Sequence, residues 1–413
     1  MITIKPFQGY RPVLEKVLQV ASRPYDVLNT EEARIEAAGN PLSFLHVVKP
    51  EIDFPKGTNP YSKEVYEKGR DNFRQLIDQG IFSQDDENYL YIYRLTMGNH
   101  VQNGIVASAS VEDYFEGRIK KHELTRPDKE EDRKNHVRVS MMNAEPVFFA
   151  YPSMKELDNL VETIEKGEPE YNFETDDDIR HEFWAVRDSG QISTIVSAFE
   201  KMPATYVADG HHRTAAAALV GKEMRENNPK HTGEEEYNYF LAVHFPDNQL
   251  KIIDYNRVIK DLGGLSEDEF LSRLHEAFVV TPLSDKDPAP EKIHSFGMYL
   301  ANKWFRLEAK EGTYDDQDPI GVLDVTILSK KILEPVLNIH DLRVDKRIDF
   351  VGGIRGLGEL ERRVDSGEMK VAFALYPVSM KQLMDIADSG AIMPPKTTWF
   401  EPKLRSGLVV HVF

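Results

Sequence analysis

The chain has 413 residues, with 51 Lys+Arg against 69 Asp+Glu, a formal charge of −18, and no cysteine. Without cysteine, disulfides, thiolate nucleophiles, iron–sulfur clusters and Cys-bearing zinc sites are excluded, which fits a reducing compartment. A hydrophobic fraction of 41% with 10% aromatics builds cores rather than a disordered polyanion, and the acidic excess disfavours nucleic acid as a partner, because phosphate contacts need clustered Lys and Arg.

At about 150 residues per domain the length predicts two to three domains. Lys5 and Pro6 interrupt the N-terminus before an apolar core forms, so it is not a signal peptide. No apolar run approaches the ~18–20 residues of a membrane span. The expectation is a soluble, cytoplasmic protein with no membrane partner.

Along the chain, Thr30 reads as an N-cap before a short helix that stops near Gly39, and Ser43 to Val48 as a strand. Tyr61 to Gln79 is an amphipathic helix closed by Gly80. Tyr89 to Thr96 is a strand with Ile105 to Ser110 as its hairpin partner. Val147 to Ala150 is a strand, and Ser153 starts a helix with Glu156 at the capping-box position. Gly167 to Asp178 reads as a solvated acidic loop; its aspartates lack EF-hand spacing. Phe183 to Val186 is a strand and Ser193 to Glu200 a helix. Thr205 to Ala208 is a strand that runs through a glycine turn into an alanine-rich helix, Thr214 to Asn227. Leu241 to Phe245 and Leu250 to Tyr255 predict a hairpin around Pro246-Asp247-Asn248. Without a clean βαβ period, the fold class is α+β (mixed α/β).

Two segments echo each other: FFAYPSMKEL (Phe148 to Leu157) and FALYPVSMKQL (Phe373 to Leu383). Chance is one explanation; two related strand–turn–helix units packed side by side in one sheet system is the other. The charge is also uneven. Residues 340–413 hold 11 Lys+Arg and 10 Asp+Glu, a net of +1, so the preceding residues carry −19. Glycines and basic residues in this tail suit either anion binding or a polar surface turn cluster.

The chemistry concentrates in TYVADGHHRTAAAALVGKEM. A strand ending at Asp209-Gly210 and turning into a helix brings free amides and the positive end of a helix dipole to one place, an anion site. Gly210 permits a tight turn or close backbone approach. Arg213 offers a donor fork, and His211 and His212 donate hydrogen bonds or exchange protons. Asp209 orients a substrate group or holds a metal ion. The plain alternative is that Asp209 caps the helix and the histidines lie on the surface. No P-loop and no HExxH occur.

ADGHHR resembles the phosphate loop of the ParB/sulfiredoxin-like fold, and more closely the DGHHR motif of the SbnI/SerK-type free L-serine kinases. The whole chain is similar to a bacterial and archaeal ParB/Spo0J-like family with a domain of unknown function. The similarity is carried by RPYDV (Arg23 to Val27), GNPLSFLHV (Gly39 to Val47), KKHELTRPDKEEDR (Lys120 to Arg133), ADGHHR (Ala208 to Arg213), LAVHFPDNQLKIIDYNR (Leu241 to Arg257) and MPPKTTWFEPKLRSGL (Met393 to Leu408). The resemblance implies that the loop matched by Asp209, Gly210, His211, His212 and Arg213 holds nucleotide phosphates and that a glutamate serves as general base; our expectation is that Asp209 and His211 act in catalysis while Gly210, His212, Arg213 and Thr214 contact the phosphates. The expected cofactors are ATP or ADP with Mg²⁺, with Asp209 the candidate metal ligand. The sulfiredoxin cysteine is absent, so sulfinic-acid chemistry is not implied.

Glu123 is the base we select, since Lys120, Lys121, His122 and Arg126 would keep it ionised; an ion-paired helix face is the alternative. Arg126 and Arg133 are further phosphate contacts. In the tail, Lys396, Thr397, Thr398, Lys403 and Arg405 suit phosphate or carboxylate ligands, in a loop that either closes over the site or forms a closing strand. The expected organisation is an N-terminal α/β segment (1–90), a ParB/sulfiredoxin-like nucleotide-binding core (91–258), a helical insert (259–339) and a C-terminal α/β segment (340–413). The expected function is a nucleotide-dependent phosphotransferase acting on a small hydroxylated metabolite such as free L-serine. The alternative is a non-catalytic nucleotide-binding or regulatory protein of ParB-like ancestry.

Overall fold

The computed structural model describes residues 1–284 and 287–413. The chain divides into two compact units: Met1–Leu250 with Pro402–Phe413, and Lys251–Glu401. The expected 259–339 segment lies within the second unit, and the expected tail from 340 is divided between the two.

The first unit is built on a nine-stranded mixed sheet. Its strands are β1 (Ile4–Lys5), β2 (Leu90–Met97), β3 (His100–Ser110), β4 (Ile119–Lys120), β5 (Val147–Tyr151), β6 (Tyr171–Glu174), β7 (Ile179–Val186), β8 (Thr205–Asp209) and β9 (Tyr239–Pro246). The order is β4-β8-β5-β9-β3-β2-β7-β6, with β1 beside β3. β8 runs parallel to β4, and β9 parallel to β5; the other pairs are antiparallel. This is the mixed α+β class expected.

Helix α1 (Pro127–Ser140) begins with Pro127 in its first turn, where a missing amide costs nothing. Helix α2 (His211–Asn227) packs against it. The run Ala215 to Ala218 is almost wholly buried. With no side chain beyond Cβ, these residues let α2 approach closely, and Ala217 and Ala218 join Val147, Phe149, Val207 and Phe240 in one core cluster. Each large side chain buried there contributes about 1.5–3 kcal/mol.

The second unit carries a six-stranded antiparallel sheet of β10 (Tyr255–Ile259), β11 (Phe278–Leu283), β12 (Ser295–Leu300), β13 (Lys303–Ala309), β14 (Ile348–Gly352) and β15 (Val371–Leu375), in the order β11-β13-β12-β15-β10-β14. Three of these strands fall in the segment expected to be helical. Helix Leu357–Asp365 covers one face through Leu360 against Val258, Val351 and Ala372.

Several local expectations change. Ser43 to Val48 is not a strand: Leu45–Val48 forms a helical turn whose apolar residues are buried, since a short apolar run has no period that separates the two states. Asn29, not Thr30, caps the first of these helices, in a capping box with Glu32. Glu156 makes no capping box, because the helix starts at Lys155 with Met154 at the cap and no side-chain bond. Instead Asp247 accepts the Ser153 amide (2.9 Å). That use of Asp247 belongs with a second change: β9 and Lys251–Ile253 do not pair as a hairpin, and Lys251–Ile253 pairs with Trp399–Glu401. The two echoing segments are both strand–turn–helix units, but they lie in different sheets, as β5 and β15. Part of the acidic loop is strand β6, and Asp177 is not solvated freely: it pairs with the buried Arg405 guanidinium. Among the described residues no helix is long and apolar enough to cross a membrane.

The first unit also buries imidazoles. Burial holds His122 and His136 down to about 4, and His181 and His244 to about 3. An unfolded imidazole titrates near 6.5, so below that pH the unfolded chain takes up protons that the native state refuses. Stability is therefore complete above about pH 6.5 and is lost as pH falls toward 4. His244 lies between the rings of Phe149 and Phe199, and neither of its ring nitrogens has a partner among the described residues. His244→Leu is expected to keep neutral-pH stability within about 1 kcal/mol of wild type and to flatten the fall of Tm on acidification; thermal melts across this pH range check both, and an unchanged acid limb would contradict the account.

Candidate functional site

The site is the elbow between β8 and α2. Gly210 holds φ +92, and a Cβ there would stand 3.3 Å from the Arg213 guanidinium, so both handedness and space favour glycine. No side chain caps α2, which leaves the positive end of its dipole at the turn. Asp209, the last residue of β8, uses both oxygens: Oδ1 accepts the Gly210 amide (2.9 Å) and Oδ2 accepts Lys403 Nζ (2.9 Å). Burial alone would raise its carboxyl, but Lys403 and Arg213 hold it far below the usual carboxylate range.

Arg213 turns inward. It is buried, donates to the Pro146 carbonyl (2.5 Å) and faces Asp26 at 3.6 Å. Despite burial, Asp26, Glu145 and Asp209 keep the guanidinium firmly charged. Glu145 in turn accepts the Tyr25 amide (2.9 Å) and the Ser406 hydroxyl (3.1 Å). Thr214 donates to the Gly210 carbonyl (3.0 Å) and is buried, so its hydroxyl braces the turn.

The segment Lys120 to Arg126 passes over the elbow. Lys120 pairs with Tyr206 at the edge of the sheet, and the Arg126 amide donates to His212 Nε2 (3.0 Å). The His122 amide donates to His211 Nε2 across a long 3.5 Å, and the two rings meet edge to face at 4.4 Å. An accepting Nε2 puts the His211 proton on Nδ1, and that atom stands 4.0 Å from Glu123 Oε2. Burial, then His122, push His211 well below the ordinary imidazole value, so it is a neutral donor facing the carboxylate.

The structure thus brings Glu123, Asp209, Gly210, His211, His212 and Lys403 together. The Arg126 guanidinium is exposed and paired with Asp128, and Arg133 is buried with Asp132 beneath the Tyr25 ring. Lys396, Thr397 and Thr398 belong to the second unit. Arg405 pairs with Asp177. Asp26 and Glu145, which neutralise Arg213, were not singled out from sequence. RPYDV was the only signal for Asp26, and Glu145 had none. As for Mg²⁺, Asp209 has both oxygens engaged, and among the described residues no group of three or more His, Asp or Glu side chains can hold a metal. The donor set does not fit a resident metal ion.

The Asp209–Lys403 pair is partly shielded, with side chains 29% and 17% exposed. Lys403→Met is expected to destabilise the protein by about 1–3 kcal/mol, between the surface and buried limits. Asp209→Asn should cost less once Lys403 is already gone, so a double-mutant cycle by chemical denaturation should show coupling; strict additivity would mean the pair contributes nothing.

The model of the family described as "Protein of unknown function (DUF1015)" matches residues 4–326. No curated protein matches the sequence. Among solved structures, the chain is similar to a free serine kinase in complex with AMP (14% identity, 75% of this chain and 91% of that one, TM-score 0.36). It is also similar to C-terminally truncated SbnI from Staphylococcus aureus (11%, 74% and 86%, TM-score 0.40) and to a conserved hypothetical protein from Pyrococcus furiosus (15%, 75% and 95%, TM-score 0.35). At these scores the likenesses carry no weight for fold or activity.

Proposed function

The chain belongs to the DUF1015 family, and we propose that its Asp209 elbow is the active centre of a nucleotide-dependent phosphotransferase acting on a small hydroxylated metabolite, free L-serine being the first acceptor to test. The observation that carries this reading is the Glu123 carboxylate, 4.0 Å from a neutral His211 that itself begins a helix with no side-chain cap. Serine as acceptor, and ATP or ADP as donor, rest on the resemblance of Asp209 to Arg213 to the DGHHR loop.

In this reading the first-turn amides of α2 and Lys403 hold the terminal phosphoryl oxygens, and Arg213 adds positive charge from behind the Gly210 turn. Glu123 takes the proton from the acceptor hydroxyl as its oxygen bonds to the terminal phosphorus. The bond from phosphorus to the bridging oxygen breaks, and the shortened nucleotide leaves with that electron pair. The His211 Nδ1 proton orients Glu123. Any Mg²⁺ enters with the nucleotide as part of the substrate.

Phosphorus NMR of reactions containing serine and ATP or ADP should show phosphoserine. Glu123→Gln should lower kcat by about 10²–10⁴-fold with little change in KM. Full kcat in that variant removes Glu123 as the base. One observation favours the second reading, a nucleotide-binding regulator without transfer: Asp209 and Arg213 are already neutralised by Lys403 and Asp26. Nucleotide binding by calorimetry with no phosphorylated product from any small hydroxylated acceptor would decide for it.

A further inference from the structure

The second unit holds a buried arginine, Arg257, that pairs with no carboxylate among the described residues. Arg257 lies on β10, opposite Phe350 of β14 and Phe373 of β15, and is 1% exposed. Strand alternation turns it to the face opposite Val258, which packs under helix Leu357–Asp365. Its guanidinium donates to the carbonyls of Tyr255 and Lys396, the second at 3.0 Å, and stands 5.3 Å from the Phe350 ring centre. Among the described residues no carboxylate pairs with it, and burial pulls it down to about 10. A buried charge without an opposite charge is strongly disfavoured, and two carbonyl dipoles return only part of that. In the first unit, by contrast, the buried Arg133, Arg213 and Arg405 each face an aspartate.

Lys396 adds two observations. Its backbone holds φ +60, a left-handed conformation that disfavours any residue but glycine, while its carbonyl occupies Arg257. Its ammonium stands 5.7 Å over the ring of Tyr255, the residue whose carbonyl also accepts from Arg257. Buried Thr397 donates to the Pro394 carbonyl (2.6 Å) and keeps the turn closed. A strained loop thus lends a neutral oxygen to a guanidinium suited to a charged one.

We propose that Arg257 and Lys396 form a binding site for an oxyanion, the phosphoryl or carboxylate group of a small ligand, whose oxygen replaces the Lys396 carbonyl on Arg257. The site stands on the second unit alone and does not require phosphoryl transfer at the Asp209 elbow.

Calorimetric titration of the full chain with inorganic phosphate and, separately, with acetate at fixed ionic strength tests it. Wild type is expected to bind at least one; phosphate alone identifies a phosphoryl ligand, acetate a carboxylate. Arg257→Met, an apolar exchange that a buried site tolerates, should weaken binding at least about tenfold. Lys396→Gly, which suits the left-handed backbone and removes the ammonium, should weaken it as well and carries the test if Arg257→Met does not fold. Asp209→Asn should leave it unchanged. Wild-type binding in Arg257→Met and Lys396→Gly, loss of binding in Asp209→Asn alone, or no binding of either anion by wild type would overturn the proposal.

Discussion

The Gly210 turn is gripped by charge from two sides, and the arrangement of the first unit depends on that grip. Lys403 holds the Asp209 carboxylate on one side, and Arg213 lies against the glycine backbone on the other, anchored to the Pro146 carbonyl and facing Asp26. Each partner comes from a remote stretch of chain. The turn is therefore where the N-terminal RPYDV segment, the start of β5 and the C-terminal strap meet. A shielded carboxylate and guanidinium are tolerable only in company, so the elbow and these three segments stabilise one another.

This explains why a motif of charged residues behaves mostly as scaffold. Arg213 and Thr214 point into the protein, and His212 accepts the Arg126 amide. The chemistry left facing outward is small: the helix start, the Lys403–Asp209 pair, and Glu123 beside a neutral His211. The segment Lys120 to Arg126 is pinned at both ends by the edge strand β4 and by His212, which holds Glu123 between them, facing His211.

The elbow was legible because it is local. An apolar strand, a glycine and an alanine-rich run fall within some twenty consecutive residues, and the turn they predict is the turn observed. Glu123 was legible as a candidate base from its charged neighbours, but His211, which faces it, lies 88 residues away and no spacing announces it. Asp177 was read as solvated because charge clusters usually are; Arg405, from the far end of the chain, makes it otherwise. For Arg257 the only signal was its place at the end of LAVHFPDNQLKIIDYNR, and nothing in that string announces its burial.

Composition and pattern by themselves determined the mixed α+β class, the absence of cysteine chemistry, the helix from Lys63 to Asp78 and the strand–glycine–helix elbow. Each depends on neighbours within a few residues, where backbone sterics and hydrophobic period act. Tertiary structure alone decided the separate sheets of the two echoing units and the pairing of Lys251–Ile253 with Trp399–Glu401. It alone decided which arginines have an acid to face. Those outcomes are set by contacts across tens to hundreds of residues, and the charge of a side chain says nothing of its partner until the chain has closed around it.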